Sequence, residues 1–423
     1  MMEIETIIAR QILDSRGTPT VEADVWLANG AMGRAAVPSG ASTGSHEAHE
    51  LRDGDTAFHG LSVHNAIANI HTNILPTLKG MPADDQFKID QTMIDIDGTP
   101  NKSNMGANAI LAVSLAVARA AAKARGILLY NHIADIAQPP QKTLPMPMLN
   151  VLNGGKHASG STDIQESMIV PVGAHNFSHA LQIADEVFMS LKEVLKENNY
   201  PTTVGDEGGF APSVKNGNAE AFTLLTHAIQ NAGYTPGKDV CFAVDVASSE
   251  LYSDGVYKFA VEGKDFASDE LVSWYQKLVT DYPIVSIEDG MAEDDWQAWQ
   301  TLTSSLPGIQ LVGDDLLVTN TERLQKAITL RAANAILIKP NQIGTLTETI
   351  RAIQLAQAND WNAIVSHRSG ETEDTSIVHI AIGTGAGQIK TGSLSRSERV
   401  AKYNELLRLE SIDPSLQLSN PFI

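Results

Sequence analysis

The chain has 423 residues, of which 43% are hydrophobic, and its 30 Lys and Arg stand against 50 Asp and Glu for a formal charge of −20. That length suits two or three domains with real cores, and the acidity excludes a basic nucleic-acid or anionic-membrane surface. Any anionic ligand has to be held by local cations or by bound metal.

The start, "MMEIETIIARQ", carries acids where a secretory signal would carry a basic end, so a cytoplasmic location is expected. In "TVEADVWL", Val21, Val25 and Leu27 alternate with Glu22 and Asp24, and Asn29-Gly30 predicts a hairpin into a second strand near Ala35 to Val37. The period then changes. Val63, Ile67, Ile70 and Ile74 fall at helical spacing, and "GANAILAVSLAVARAAAKA" predicts a largely buried helix, its apolar run cut by Arg119 and so no membrane span. Residues 1–135 read as a smaller α+β domain, and 136–147, "IAQPPQKTLPMP", with four prolines, as a linker.

From 148 to 423 the pattern repeats: a short apolar run, a charged residue, a helix-length segment. The runs end at Asp245 (FAVD), Glu288 (IVSIE), Asp314 (QLVGD), Lys339 (AILIK), His367 (AIVSH) and Lys390 (QIK), at gaps of 43, 26, 25, 28 and 23 residues. One strand plus one helix per unit implies a parallel sheet, and about 280 residues of it suit a β/α barrel of the TIM type. In a barrel the strand ends share one rim, so six charges that look sequestered one by one converge. The only cysteine, Cys241, has apolar neighbours in "VCFAVD" and reads as a packing residue.

Three carboxylates at strand ends, Asp245, Glu288 and Asp314, suit a hard divalent cation, and all-oxygen ligation favours magnesium over zinc. "SHEAHE" places His46 and His49 three apart, one short of the zinc HExxH spacing. Lys339 beside metal and a second lysine suits proton abstraction. Free lysine titrates near ~10.4, so a base working near neutrality needs about 4 kcal/mol of electrostatic help. One positive charge ~4 Å away supplies that at an effective dielectric of ~20. A carboxylate partner would instead keep the amine charged, and the residues alone leave both readings open. "DIQESMI" and "GDEGGFAP" add Glu166 and Glu207; a tight loop holding a carboxyl competes here with an ordinary solvated turn.

Beyond these inferences, the chain resembles the enolase family over nearly its whole length. The matching motifs include "ILDSRGTPTVE", "VPSGASTGSHEA", "NKSNMGANAILAVSLA", "DIQESMIVPVGA", "GDEGGFAP", "SIEDGMAEDDW", "LVGDDLLVTN", "ILIKPNQIGTLTET", "SHRSGETED" and "GQIKTGSLSRSERVAKYN", in the family's order. The resemblance implies a magnesium-dependent lyase interconverting 2-phosphoglycerate and phosphoenolpyruvate, in a barrel with irregular first units including one antiparallel strand. By the same resemblance Asp245, Glu288 and Asp314 ligate one magnesium, and Ser42, in a mobile loop, ligates a second that arrives with substrate. Lys339 is implied as the base at C2, Glu207 with Glu166 as the acid side, Arg368 and Ser369 as the phosphate grip and Lys390 as the partner of the substrate carboxylate. His157 and His367 match residues closing over the substrate, and Gln165 sits beside the acid pair. A homo-oligomer, a dimer or an octamer, is expected on family grounds, as is a secondary cell-surface or secreted pool. The alternatives are another acid dehydratase of the same superfamily, disfavoured by Arg368-Ser369 and the Ser42 loop, and an additional non-catalytic scaffold role. Two places depart from the pattern: Ser167 stands where the family usually has phenylalanine, and "SIDPSLQLSNPFI" at the end matches nothing recognised.

Overall fold

The computed structural model describes residues 2–40, 44–158 and 160–422. The N-terminal part is a three-stranded antiparallel sheet, β1 (Ile4–Leu13), β2 (Pro19–Leu27) and β3 (Met32–Ala36), in the order β1-β2-β3. β2 and β3 meet as the Asn29-Gly30 signal predicts, with Gly30 at φ 84° closing the turn. β1 lies outside the alternation that flags β2, because its face carries Ile8 and Leu13 into exposed positions. The helix Ala107–Ala124 is long and apolar enough to span a membrane, yet most of it is buried in the protein core. It packs on β2 and β3 so closely that a side chain at Gly33 would collide with the Ala116 carbonyl. Arg119 leaves that core to pair with Asp374 at 3.1 Å.

After the helix Leu129–Ala137, β4 (Met146–Asn153) opens a closed eight-stranded barrel with β5 (Glu166–Val170) and β6 (Cys241–Asp245). A small meander, β7 (Tyr252–Ser253), β8 (Val256–Phe259) and β9 (Lys264–Phe266), interrupts it. The barrel resumes with β10 (Ile284–Glu288), β11 (Gln310–Gly313), β12 (Ala335–Ile338), β13 (Asn362–Ser366) and β14 (Gly387–Lys390), and closes β14 onto β4 and β6 onto β10. β5 runs antiparallel to both β4 and β6, and every other pair in the barrel is parallel. The chain thus has a C-terminal TIM-like barrel with an irregular start, preceded by a smaller α+β domain.

Strand side chains alternate in direction, so parity decides what enters the barrel. Phe242, Val244, Ile287, Leu311, Ile336, Ile338 and Val365 join the large core shared with the helices. Met148, Met168, Ala243, Val312, Leu337 and Ile364 form a second cluster, the barrel's own interior. Two residues beyond Ala243, Val312 and Leu337, at the same parity, come Asp245, Asp314 and Lys339; Ser286 and Gln388 precede Glu288 and Lys390 in the same way. The chemistry-bearing residues therefore continue the inward-facing rows. Glu166 reaches the same rim from the first residue of β5, because that strand runs backwards and Glu166 pairs in register with Asp245.

Candidate active site

Asp245, Glu288 and Lys390 are the last residues of their strands, while Asp314, Lys339 and His367 come one residue after theirs. Together with His157, Gln165, Glu166, Glu207, Arg368 and Ser369, all but Glu288 line one pocket of about 420 Å³, and Glu288 sits directly behind Lys390 at 2.9 Å. Of the residues singled out from the sequence, Ser42 lies outside the described residues.

Lys390, fully buried, places Nζ 3.0 Å from Asp245, 2.9 Å from Glu288 and 3.0 Å from Glu166. Burial opposes its charge, but the carboxylates outweigh burial and raise its pKa well above the ordinary lysine value. Glu288 moves the other way for a carboxyl. Burial first, then the field of Asp245, pushes it well up despite Lys390. Lys339 is paired with Asp314. Burial would lower its pKa, yet Asp314 raises it, so of the two readings open in the sequence the structure shows the ion-paired lysine.

The loop carrying Glu207 is fastened tightly. Gly208 takes φ 87° against the Ser395 carbonyl, and a side chain at Gly209 would sit 2.8 Å from the Asn150 carbonyl. Asn150 Nδ2 donates to Glu207 Oε2 at 3.0 Å, and His367 Nε2 lies 3.2 Å from Oε1. Glu166 shares this corner. Burial and the neighbouring Glu207 charge hold its carboxyl well above the usual range, while Glu207, surrounded by His367, His157 and Arg399, stays low in spite of burial. His157 Nδ1, Glu166 Oε2 and both side-chain polar atoms of Asn153 are buried without a hydrogen-bond partner among the described residues. Buried polar groups are normally satisfied, so this corner has hydrogen-bonding capacity left for water or a polar ligand.

Some participants were not legible in the sequence. Asp289 and Asp315 stand beside Asp314, close enough for one ligand atom from each to meet at a single ion. Asp289 adopts φ 42° and accepts the backbone N–H of Asp314 and of Asp315, both at 2.9 Å. Burial and the Asp314 charge push Asp315 up to about 7. Gln342 Nε2 donates to Asp314 Oδ1 at 2.9 Å. Glu47, from the N-terminal domain, takes Arg368 in a two-pronged grip, 2.8 Å and 3.2 Å. The only sign of Asp289 and Asp315 is that each is the second acid of a doublet, "ED" and "DD"; Glu47 gave no sign.

Does a divalent cation fit? Six carboxylates line the pocket against Lys339, Arg368 and Lys390; one candidate ligand group, Asp289, Asp314 and Asp315, is all oxygen, the other adds a ring nitrogen of His157 to Glu166 and Glu207, and burial followed by like-charged neighbours drives Asp289, and Glu288 behind the pocket, upward. The all-oxygen group suits magnesium, the ion used across the enolase superfamily. Asp289, Asp314 and Asp315 already bring one ligand oxygen each together; Asp245 and Glu288, the ligands expected beside Asp314, are held by the Lys390 ammonium in this structure and would have to be shared between it and the ion.

Sequence comparison identifies the family independently of the geometry. The model of the enolase N-terminal domain matches residues 4–133, and the model of the enolase C-terminal TIM barrel domain matches residues 141–415. Fold, rim and these two matches together make the chain a member of the enolase superfamily, a group of lyase-type enzymes.

Proposed function

We propose that the chain is a magnesium-dependent hydro-lyase that interconverts 2-phosphoglycerate and phosphoenolpyruvate. The observation that carries the reading is the meeting, in one pocket, of a buried lysine, a buried acid pair, an Arg-Ser pair and a carboxylate cluster. Lys339 Nζ would take the C2 proton, and for that it has to leave Asp314, which keeps it charged in the structure. Glu207, held by Asn150 and with Glu166 beside it, would assist departure of the C3 hydroxyl. Arg368 and Ser369 would grip the phosphate, the phosphate replacing the Glu47 carboxylate on the guanidinium; both anions suit that fork. Lys390 would face the substrate carboxylate. Bound magnesium would supply positive charge where that carboxylate becomes more negative. The same family resemblance supports a homodimer as the working form.

Arg368 and Ser369 favour a phosphorylated substrate over the plain hydroxy acids of related dehydratases. Formation of phosphoenolpyruvate from 2-phosphoglycerate with magnesium, abolished by chelator, is the expected result. Preferential turnover of unphosphorylated hydroxy acids would overturn the assignment.

A further inference from the structure

Arg399 is the largest buried charge that these roles leave unused. It lies in the helix Ser397–Ile412, is fully buried, and among the described residues forms no hydrogen bond with a carboxylate; Glu398 is 3.6 Å from Nε. Its guanidinium is instead spent on the active-site loops. One terminal nitrogen donates to the Arg368 carbonyl and meets His367 Nδ1, both at 2.6 Å. The other donates to the Ser369 carbonyl at 2.6 Å and the Asp206 carbonyl at 3.3 Å. Gly392 makes the room, since a side chain there would collide with Arg399 Cδ at 2.8 Å.

A guanidinium only donates and does not lose its proton in a protein. His367 Nδ1 must therefore accept, and in a neutral ring the hydrogen then belongs to Nε2. Nε2 lies 3.2 Å from Glu207 Oε1, in ion-pair range but without a completed hydrogen bond among the described residues. We propose that Arg399 is a positioning residue that locks His367 in the Nε2–H tautomer and ties the Glu207 loop to the Arg368–Ser369 loop, so that a hydrogen-bond donor always faces the acid. Glutamine, asparagine or a neutral histidine at this place could turn and accept, and the tautomer would be released. Burial keeps His367 uncharged, pushing its pKa down to about 3, which agrees with a neutral ring of fixed tautomer. The inference rests on the dehydration reading for its kinetic consequence, but the tautomer itself does not.

The test uses the full-length protein labelled with ¹⁵N-histidine, with the His367 ring signals assigned by difference against His367→Gln. A pyridine-like Nδ1 and a protonated Nε2 are expected in the wild type. Arg399→Met should give the other tautomer or a mixture, with kcat lower by roughly 10- to 100-fold and KM within about threefold. In a His367→Gln background the amide offers its own donor to Glu207, so adding Arg399→Met should cost several-fold less in kcat than in the wild type, what remains being the lost ties to the Arg368, Ser369 and Asp206 carbonyls. An unchanged Nε2–H signal in Arg399→Met, or an equal kcat loss in both backgrounds, would overturn the proposal. Where Arg399→Met does not fold, Arg399→Lys keeps the charge without the span, and the same spectra and cycle decide. If 2-phosphoglycerate is not turned over at all, the spectra still judge the tautomer, so the two failures are distinguishable.

Discussion

The two ends of the barrel are built from the same strands to different rules. At the N-terminal end the interior is apolar, with Met146, Val170, Val172, Cys241 and Ala335 packed together and Leu418 and Phe422 laid against them. Its polar groups are closed on one another: Gln310 and Gln388 exchange amide hydrogen bonds at 3.0 Å and 2.9 Å, with Ser286 and Asn362 completing the set. The tail that matched no motif seals this end, Leu144 bonding Gln417 and Ser419 through the backbone and Asn420 bonding the Val172 carbonyl at 2.7 Å. At the C-terminal end, two to four residues further along the strands, carboxylates crowd, lysines are wedged between them and buried polar atoms lack partners among the described residues. Stability is concentrated at one end and chemical readiness at the other, as is general for this architecture.

That contrast can be broken from either side. Replacing Lys390 by Met strips the ammonium from three carboxylates, so kcat should fall by roughly 10²–10³-fold. Stability without metal should drop by about 3–5 kcal/mol, the cost typical of breaking a buried pair. Because an added cation can stand in for the lost charge, magnesium should raise the melting temperature of this variant more than that of the wild type. Equal shifts would mean that the carboxylate cluster does not hold the ion. At the other end, Met146→Ala, in register with Gln388, should cost about 2–5 kcal/mol in denaturant unfolding and leave kcat/KM of the folded enzyme within about twofold. A large catalytic loss there would show that the two ends are not separable.

A milder test lies between the domains. Asp90, fully buried, accepts from Gln86 at 3.0 Å and from the Thr347 backbone at 2.9 Å, at the N-terminus of a barrel helix. Burial raises its pKa to about 6. A carboxyl raised on folding holds its proton longer in the native state, so its contribution is largest below the unfolded value near ~3.9 and is lost as pH rises toward 6. The stability of the wild type relative to Asp90→Asn should therefore decline over that window, by at most about 3 kcal/mol. A flat difference would show that its hydrogen bonds already satisfy the charged form.

The barrel was readable because six of its strands announce their ends with a charge at a repeating interval, but strand parity alone would have turned Asp289 and Asp315 away from a site whose pocket they in fact line. What stayed hidden depends on loops and on the other domain. Asp289 enters the site through a left-handed backbone turn, Glu47 through a fold-over of the N-terminal domain, and Arg399 from a helix nine residues past Lys390, none of which has a local pattern. The antiparallel sense of β5 came from resemblance alone, and without it Glu166 would have been placed at the wrong end. The ion-pair state of Lys339 was undecidable from sequence, since both candidate neighbours, an acid and a cation, lie on the same rim.

The central claim is that Lys339 handles the C2 proton and Glu207 the C3 hydroxyl. The most direct measurement is magnesium-dependent exchange of the C2 hydrogen of 2-phosphoglycerate with deuterated water, followed in Glu207→Gln and Lys339→Ala. Exchange persisting in the first without dehydration, and absent in the second, is the predicted outcome; exchange in Lys339→Ala at the rate of the Glu207 variant would contradict it.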